Sequence, residues 1–348
     1  MRHTRIIVTH YGGPEELRVV EEACPEPKDD EVRVRVLAAG VALPDIMARE
    51  GVHPETPPVP FTPGWDLVGE VERLGGGVSG IEPGQIVAAM PIHGAYAEFV
   101  CLPQRELVPV PSGLDAAEAV SLVLNYITAY QMLHRSAKVS SGQRALIHGA
   151  AGGVGTALLQ LGRLTGLEMY GTCSSRNAQA VSDLGGIPID YQHQDFVEEI
   201  HRLTSEGVDV VFDPIGGPHI WHSRKALHPG GRVVVYGLTS SPRGGRLASG
   251  RSGRRRRFHG ILIFGLYIAV RLASPRAETD GPLQHPVAQT VEAGLVSRGF
   301  DRPARPPSTA KDQAANRTAI SPCRRKNSHE LLGKGGVIGK IVLVRNGS

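Results

Sequence analysis

The feature that most narrows the fold is the stretch from Ala145 to Ala157, which reads Ala-Leu-Ile-His-Gly-Ala-Ala-Gly-Gly-Val-Gly-Thr-Ala. A short apolar run, Ala145 to Ile147, enters a turn holding Gly149, Gly152, Gly153 and Gly155. Thr156 to Leu161 then takes helical spacing. The order is strand, glycine turn, helix. Glycines let backbone N–H groups approach a pyrophosphate, and a helix N-terminus favours its charge. A glycine turn alone is also compatible with an ordinary loop, so the flanking pattern decides. That pattern alternates. Strands are expected at Ala145–His148, Glu168–Thr172, Ile187–Tyr191, Val208–Asp213, Arg232–Tyr236 and Ile261–Phe264. Helices are expected between them at Val154–Leu164, Ala178–Leu184, Asp195–Leu203 and Pro218–Leu227. Strands separated by helices imply a parallel, doubly wound α/β sheet with its ligand at the carboxyl ends of the strands.

The first 120 residues have a different rhythm. Glu31–Leu37 alternates apolar and polar residues with period two, as a half-buried strand does. Further short strands are expected at Arg5–Val8, Trp65–Glu72, Gln85–Met90 and Ala95–Cys101, punctuated by Gly and Pro. Such spacing implies a compact, partly closed barrel. At Asp115 the pattern becomes helical, with Asp115 as N-cap and Glu118 completing a capping box. Apolar helix follows over Ala119–Leu124 and again over Asn125–Leu133. From about Ser240 to Lys326 the chain is rich in Pro, Arg, Gly and Ser, and Pro303–Lys326 carries almost no periodicity. It reads as a divergent insertion or as a frame-shifted stretch restored near Ser328. A short helix at His329–Leu332 and a closing strand at Lys340–Val344 follow.

Composition excludes several classes. The 348 residues are 41% hydrophobic, which allows two domains with real cores. Cys24, Cys101, Cys173 and Cys323 are scattered without a Cys-x-x-Cys, so neither a disulfide framework nor a zinc knuckle is implied. The apolar run Phe258–Val270 is about half the length of a membrane span. Met1–Ile6 holds no apolar signal core, and a cytoplasmic location is expected. A net charge of +4 is too weak to argue for nucleic acid. The run Arg254–Arg257 is read as a solvated loop in preference to an anion site, so no nucleic-acid partner is expected.

Several segments together carry a family likeness: Gly40–Asp45, Pro63–Glu70, Asn125–Tyr130, Gly149–Gly155, Val208–Gly217, Pro229–Gly237 and Gly339–Leu343. In this order and spacing the chain resembles the medium-chain dehydrogenase/reductase superfamily. The likeness is to its zinc-free quinone oxidoreductase branch, which includes zeta-crystallin and the vesicle amine transport protein relatives. It implies a GroES-like catalytic domain over 1–124 and a Rossmann dinucleotide-binding domain over 125–295. The chain is then expected to return to the catalytic domain over 296–348. The resemblance also implies a homodimer and a small-molecule quinone or enone substrate. Zinc-dependent members hold the metal at positions matching Ala42, Trp65 and Leu124 here, none of which offers a zinc ligand. No metal is therefore expected.

Enzymes that prefer NADH commonly carry an acidic residue about 20 positions beyond the glycines. That place reads Gly-Thr-Cys-Ser-Ser-Arg over 171–176. Ser174, Ser175 and Arg176 are expected to receive the 2′-phosphate of NADPH, because arginine offers a charged fork of donors, and Thr172 is counted among the cofactor-binding residues. Tyr191 matches a tyrosine that touches that phosphate in relatives. The turn residues Gly149, Ala151, Gly152, Gly153, Val154 and Gly155 are assigned to the pyrophosphate. For the nicotinamide end the resemblance implies Asn125, Thr128, Asp213, Ile215, Tyr236 and Gly237. Thr128 is equally able to bond its own helix backbone. A tyrosine acid found in some relatives is replaced by Met47, which leaves the proton donor unassigned. Asp45 and Arg49 are candidates to line the cleft, or a structural salt link. Tyr126 is a further candidate.

Overall fold

The computed structural model describes residues 1–237, 315–320 and 325–345. The expected strand at Ile261–Phe264 and the run Arg254–Arg257 lie outside the described residues.

Strands β1 (Arg2–Val8) and β2 (Leu17–Ala23) form an antiparallel pair. The long β3 (Glu31–Val41) runs in a seven-stranded sheet with β4 (Leu67–Leu74), β5 (Ile86–Ala89), β6 (Phe99–Pro103) and β7 (Val108–Pro109). The period-two pattern of β3 places Val32, Val34 and Val36 in a core with Leu67, Val71, Val87 and Leu102. Two irregularities in the β3–β4 register curl this sheet into its partly closed form. Helix α1 (Leu43–Arg49) follows β3.

Helix α2 (Ala116–Tyr130) joins the two halves. Asp115 caps it, accepting from the N–H groups of Ala117 and Glu118. The two helical stretches expected around residue 124 are one helix, which continues as a π-turn over Gln131–Ser136. Its first half packs Ala117, Val120 and Val123 on Ala38, Val68 and Val342 of the antiparallel sheet. Its end packs Ala129, Met132 and Leu133 into the second core, with Ala145 and Leu158.

That second core covers a five-stranded parallel sheet in the order β10-β9-β8-β11-β12. The strands are β8 (Arg144–His148), β9 (Glu168–Cys173), β10 (Gly186–Asp190), β11 (Val208–Asp213) and β12 (Leu227–Val235). The helices between them are α3 (Gly153–Thr165), α4 (Ala178–Asp183), α5 (Phe196–Thr204) and α6 (His219–Lys225). Strand order reverses at β8, where such sheets open a crevice for ligands.

The chain closes with β13 (Ala315–Ile320), α7 (Arg325–Lys334) and β14 (Lys340–Arg345). The stretch Pro303–Lys326 was expected to be irregular, yet it contains β13, paired parallel to β14. Its side-chain pattern carries no period-two signal; the backbone ladder to β14 defines it. β14 in turn pairs antiparallel with β3, Leu343 opposite Ala39, and returns the chain to the first sheet.

Candidate functional site: a dinucleotide crevice

β8 ends at His148, and the turn that follows is shaped by two glycines. Gly149 takes φ +64°. At Gly155 an added Cβ would stand 2.7 Å from the Ala150 Cα, so the first turn of α3 passes close over the loop only because no side chain intervenes. Gly152 is the N-cap of α3 and offers no side-chain acceptor. The first N–H groups of this 13-residue helix therefore have no side-chain cap from the N-cap residue, as an anion site requires. Ala151, Gly153 and Val154 belong to the same turn. The Asn125 carboxamide lies against Gly153, whose Cβ would stand 2.5 Å from Nδ2.

At the end of β9 a pocket of about 210 Å³ is lined by Ser174, Ser175, Arg176, Tyr191 and Gln192. Among the described residues no carboxylate pairs with Arg176. Asp190, which ends β10, accepts from the His193 ring at 2.7 Å and from the Gln192 N–H at 3.1 Å. Its carboxyl is held below the usual range by His193 first and the Gln192 N–H second, with the Ser175 hydroxyl also contributing. Thr172 does not face this pocket. It is buried, and its Oγ1 bonds His148 Nδ1 at 3.1 Å and accepts the Gly149 N–H at 3.2 Å. Its position braces the glycine turn.

No ligand-type spacing in the sequence marks His148. The structure makes it part of a buried cluster at the ends of β8 and β11. His148 Nε2, Asp213 Oδ2 and His219 Nδ1 all face the Ser223 hydroxyl, at 3.2, 2.8 and 3.2 Å. Asp213 also bonds His219 at 2.9 Å and accepts the N–H groups of Ile215 and Gly216 at 2.7 and 3.0 Å. Burial raises the Asp213 pKa, but His219, the Gly216 N–H and Ser223 outweigh it and the carboxyl stays ionised far into acid. Burial first, then the neighbouring His219, push His148 down to about 3. The ligand-type atoms of His148, Asp213 and His219 lie within 4.8 Å of one another, and all three side chains are bonded to the Ser223 hydroxyl. The arrangement ties α6 to the strand ends that precede Ile215. Beyond it, Tyr236 donates its N–H to the Asp213 carbonyl at 3.0 Å. Gly237 passes close to Pro214, where a Cβ would stand 3.1 Å from the Pro214 Cα.

The three candidate catalytic side chains all have their polar atoms taken by protein partners. Asp45 is wholly buried; it accepts from Ala42 N–H at 2.9 Å and from Gly64 N–H at 2.8 Å. Burial pushes its carboxyl up to about 7. Arg49 is 3% exposed and bonds the Gly12 carbonyl, Glu50 and the His329 ring. The salt link foreseen between Asp45 and Arg49 is not made. The Tyr126 hydroxyl donates to Gln160 Oε1 at 2.6 Å, inside the α2–α3 contact. The Thr128 hydroxyl donates to the Leu124 carbonyl at 2.7 Å, the helix-backbone alternative.

Where zinc-dependent relatives hold metal, Ala42 is buried, Trp65 stacks edge-on with His53 and His93, and Leu124 presents its backbone N–H to Asp66 at 3.0 Å. This set does not fit zinc, which requires thiolate, imidazole or carboxylate at those places. Asp66 is itself paired with Lys340 of β14, and both are buried.

Family models match at both halves: "Alcohol dehydrogenase GroES-like domain" over residues 28–112 and "Zinc-binding dehydrogenase" over 153–265. Synaptic vesicle membrane protein VAT-1 homolog-like of Homo sapiens is 35% identical over 236 residues, 68% of this chain and 56% of that protein. The chain thus spans little more than half the length of such relatives. Quinone oxidoreductase of Pongo abelii is 32% identical over 242 residues, 68% of this chain and 73% of that one. The structure of the quinone oxidoreductase from Coxiella burnetii superposes with a TM-score of 0.74 at 26% identity, covering 99% of each chain. The chain belongs to the medium-chain dehydrogenase/reductase superfamily. Within it, the chain falls in the zinc-free quinone oxidoreductase branch. Among the described residues no helix is long and apolar enough to cross a membrane.

Proposed function

We propose that this chain is a zinc-independent oxidoreductase that binds NADPH in preference to NADH and reduces a quinone or an α,β-unsaturated carbonyl. The observation that carries the reading is the Arg176 guanidinium, which pairs with no carboxylate among the described residues, in a pocket with Ser174, Ser175, Tyr191 and Gln192. A 2′-phosphate supplies the anion that such a fork of donors lacks. NADH would leave the cation without a partner. The uncapped first turn of α3 holds the pyrophosphate, with Gly149, Ala151, Gly152, Gly153, Val154 and Gly155 giving backbone access. Asn125 and the strand ends at Asp213–Ile215 and Tyr236–Gly237 orient the nicotinamide. When bound, the reduced dinucleotide supplies the hydride. The chain's own residues position it, and no side-chain acid is essential. A homodimer in the cytoplasm completes the reading, on the family resemblance.

The test is NADPH and NADH binding by calorimetry, followed by NADPH oxidation with a panel of quinones and enones. Tighter NADPH binding with steady turnover supports the proposal. The engagement of Asp45, Arg49 and Tyr126 by protein partners favours one second reading, a nucleotide-binding module without catalysis. Tight NADPH binding with no turnover across the panel selects it. Loss of turnover in Asp45→Ala or Tyr126→Ala with unchanged NADPH affinity would sink the acid-free mechanism.

A further inference from the structure

The segment between α7 and β14 reads Gly-Gly-Val-Ile-Gly over residues 335–339. It leaves the antiparallel sheet's side of the molecule and touches the dinucleotide crevice at two points. Gly339 donates its N–H to the Ala151 carbonyl at 3.0 Å and forms a parallel bridge with Gly152. At the other point the Arg176 guanidinium lies against Gly336. A Cβ built at 336 would stand 2.5 Å from Nη2, 2.8 Å from Cζ and 3.1 Å from Nη1. One strap therefore meets both the pyrophosphate turn and the arginine of the pocket beyond it.

We propose that Gly336 is a specificity-determining residue for the dinucleotide. This rests on the NADPH reading above. Arginine on an exposed turn loses considerable rotamer freedom when it is fixed on a phosphate. A flat backing surface reduces that loss by holding the guanidinium plane before the ligand arrives. Gly336 provides the surface because it has no side chain. Any Cβ there displaces the guanidinium from this resting place and removes the backing.

The neighbouring glycine supplies a matched control. Gly335 and Gly336 both have positive φ, +72° and +87°, so alanine strains the backbone comparably at either. A Cβ at Gly335 meets nothing within 4 Å, whereas one at Gly336 meets Arg176. The experiment measures Kd for NADPH and NADH by calorimetry in wild type, Gly335→Ala, Gly336→Ala, Arg176→Ala and the Arg176→Ala/Gly336→Ala double variant. Gly336→Asn joins the series because asparagine tolerates positive φ and keeps the test open if the alanine variant misfolds. Gly336→Ala is expected to weaken NADPH binding about tenfold, roughly 1.4 kcal/mol, and to leave NADH unchanged. Gly335→Ala should keep the wild-type ratio, and Gly336→Ala should add nothing once Arg176 is gone. A wild type without NADPH preference removes the cofactor reading and this inference together. A wild type that prefers NADPH, with Gly336→Ala and Gly336→Asn keeping the ratio of Gly335→Ala, overturns this inference alone.

Discussion

Replacing Lys340 by methionine should destabilise the protein far more than removal of one surface charge would. Lys340 is 3% exposed and Asp66 is 0% exposed, and the two form an ion pair beneath α2. Asp66 also accepts the Leu124 N–H at 3.0 Å, one residue before Asn125. Removing the ammonium leaves a carboxylate with no water and no cation. A buried pair broken on one side typically costs about 3–5 kcal/mol, because the remaining charge is uncompensated. Against a total stability of about 5–15 kcal/mol, that is a large fraction. Removing both partners, as Lys340→Met with Asp66→Asn, should recover a good part of the loss, since the double variant has no orphaned charge. The assay is urea denaturation of the wild type, the two single variants and the double variant, analysed as a cycle. Dinucleotide affinity is measured on the same proteins, because the pair fixes the helix that carries Asn125. The expected coupling is on the order of 2 kcal/mol or more. Additive single variants, or a Lys340→Met cost below about 1 kcal/mol, would show that the pair is solvated and would refute the reasoning.

Other perturbations test the site directly. Arg176→Ala should weaken NADPH about 10–100-fold, the range of a lost charge-assisted contact, and leave NADH nearly unchanged by calorimetry. Thr128→Val should alter cofactor affinity by less than about threefold, because the hydroxyl is bonded to the helix backbone; a larger loss would mean contact with the ligand. Gly155→Ala should abolish dinucleotide binding in a thermal-shift assay, as its Cβ would stand 2.7 Å from backbone at Ala150. His329, lowered to about 3 by burial and then by Arg49, is neutral when folded and takes a proton below about 6.5 when unfolded. Its folded pKa is depressed, so the unfolded state binds the extra proton and stability falls as pH drops below the unfolded value. His329→Gln should therefore lose less stability than wild type between pH 7 and pH 5, by about 2 kcal/mol in denaturant titrations. Equal pH dependence in the two proteins would count against it.

The parts of this molecule that were legible in its sequence are those where local chemistry and tertiary position agree. The glycine turn is one, since the same absence of side chains bends the chain at Gly149 and lets α3 pass close at Gly155. Asp115 is another, because an N-cap is a local bond, and it forms as the spacing predicts. β3 reads as a strand because one of its faces is buried. The side chains of Asp45, Arg49 and Tyr126 were not legible in this way. Their types suit acid–base work, but their partners are set by residues far along the chain: Gly64 for Asp45, His329 for Arg49 and Gln160 for Tyr126. The His148–Asp213–Ser223 cluster escaped notice for the same reason, with its members 65 and 75 residues from His148 and joined only where parallel strands end side by side. The strand Ala315–Ile320 gives no period-two signal at all, and its place is set by the ladder to β14. The pocket at the end of β9 falls between these cases. Ser174, Ser175 and Arg176 are adjacent in sequence, so the absence of a carboxylate can be read from six consecutive letters. What could not be read is the glycine strap that backs the arginine from 160 positions away at Gly336, and that contact gives the exposed cation a fixed surface to rest on.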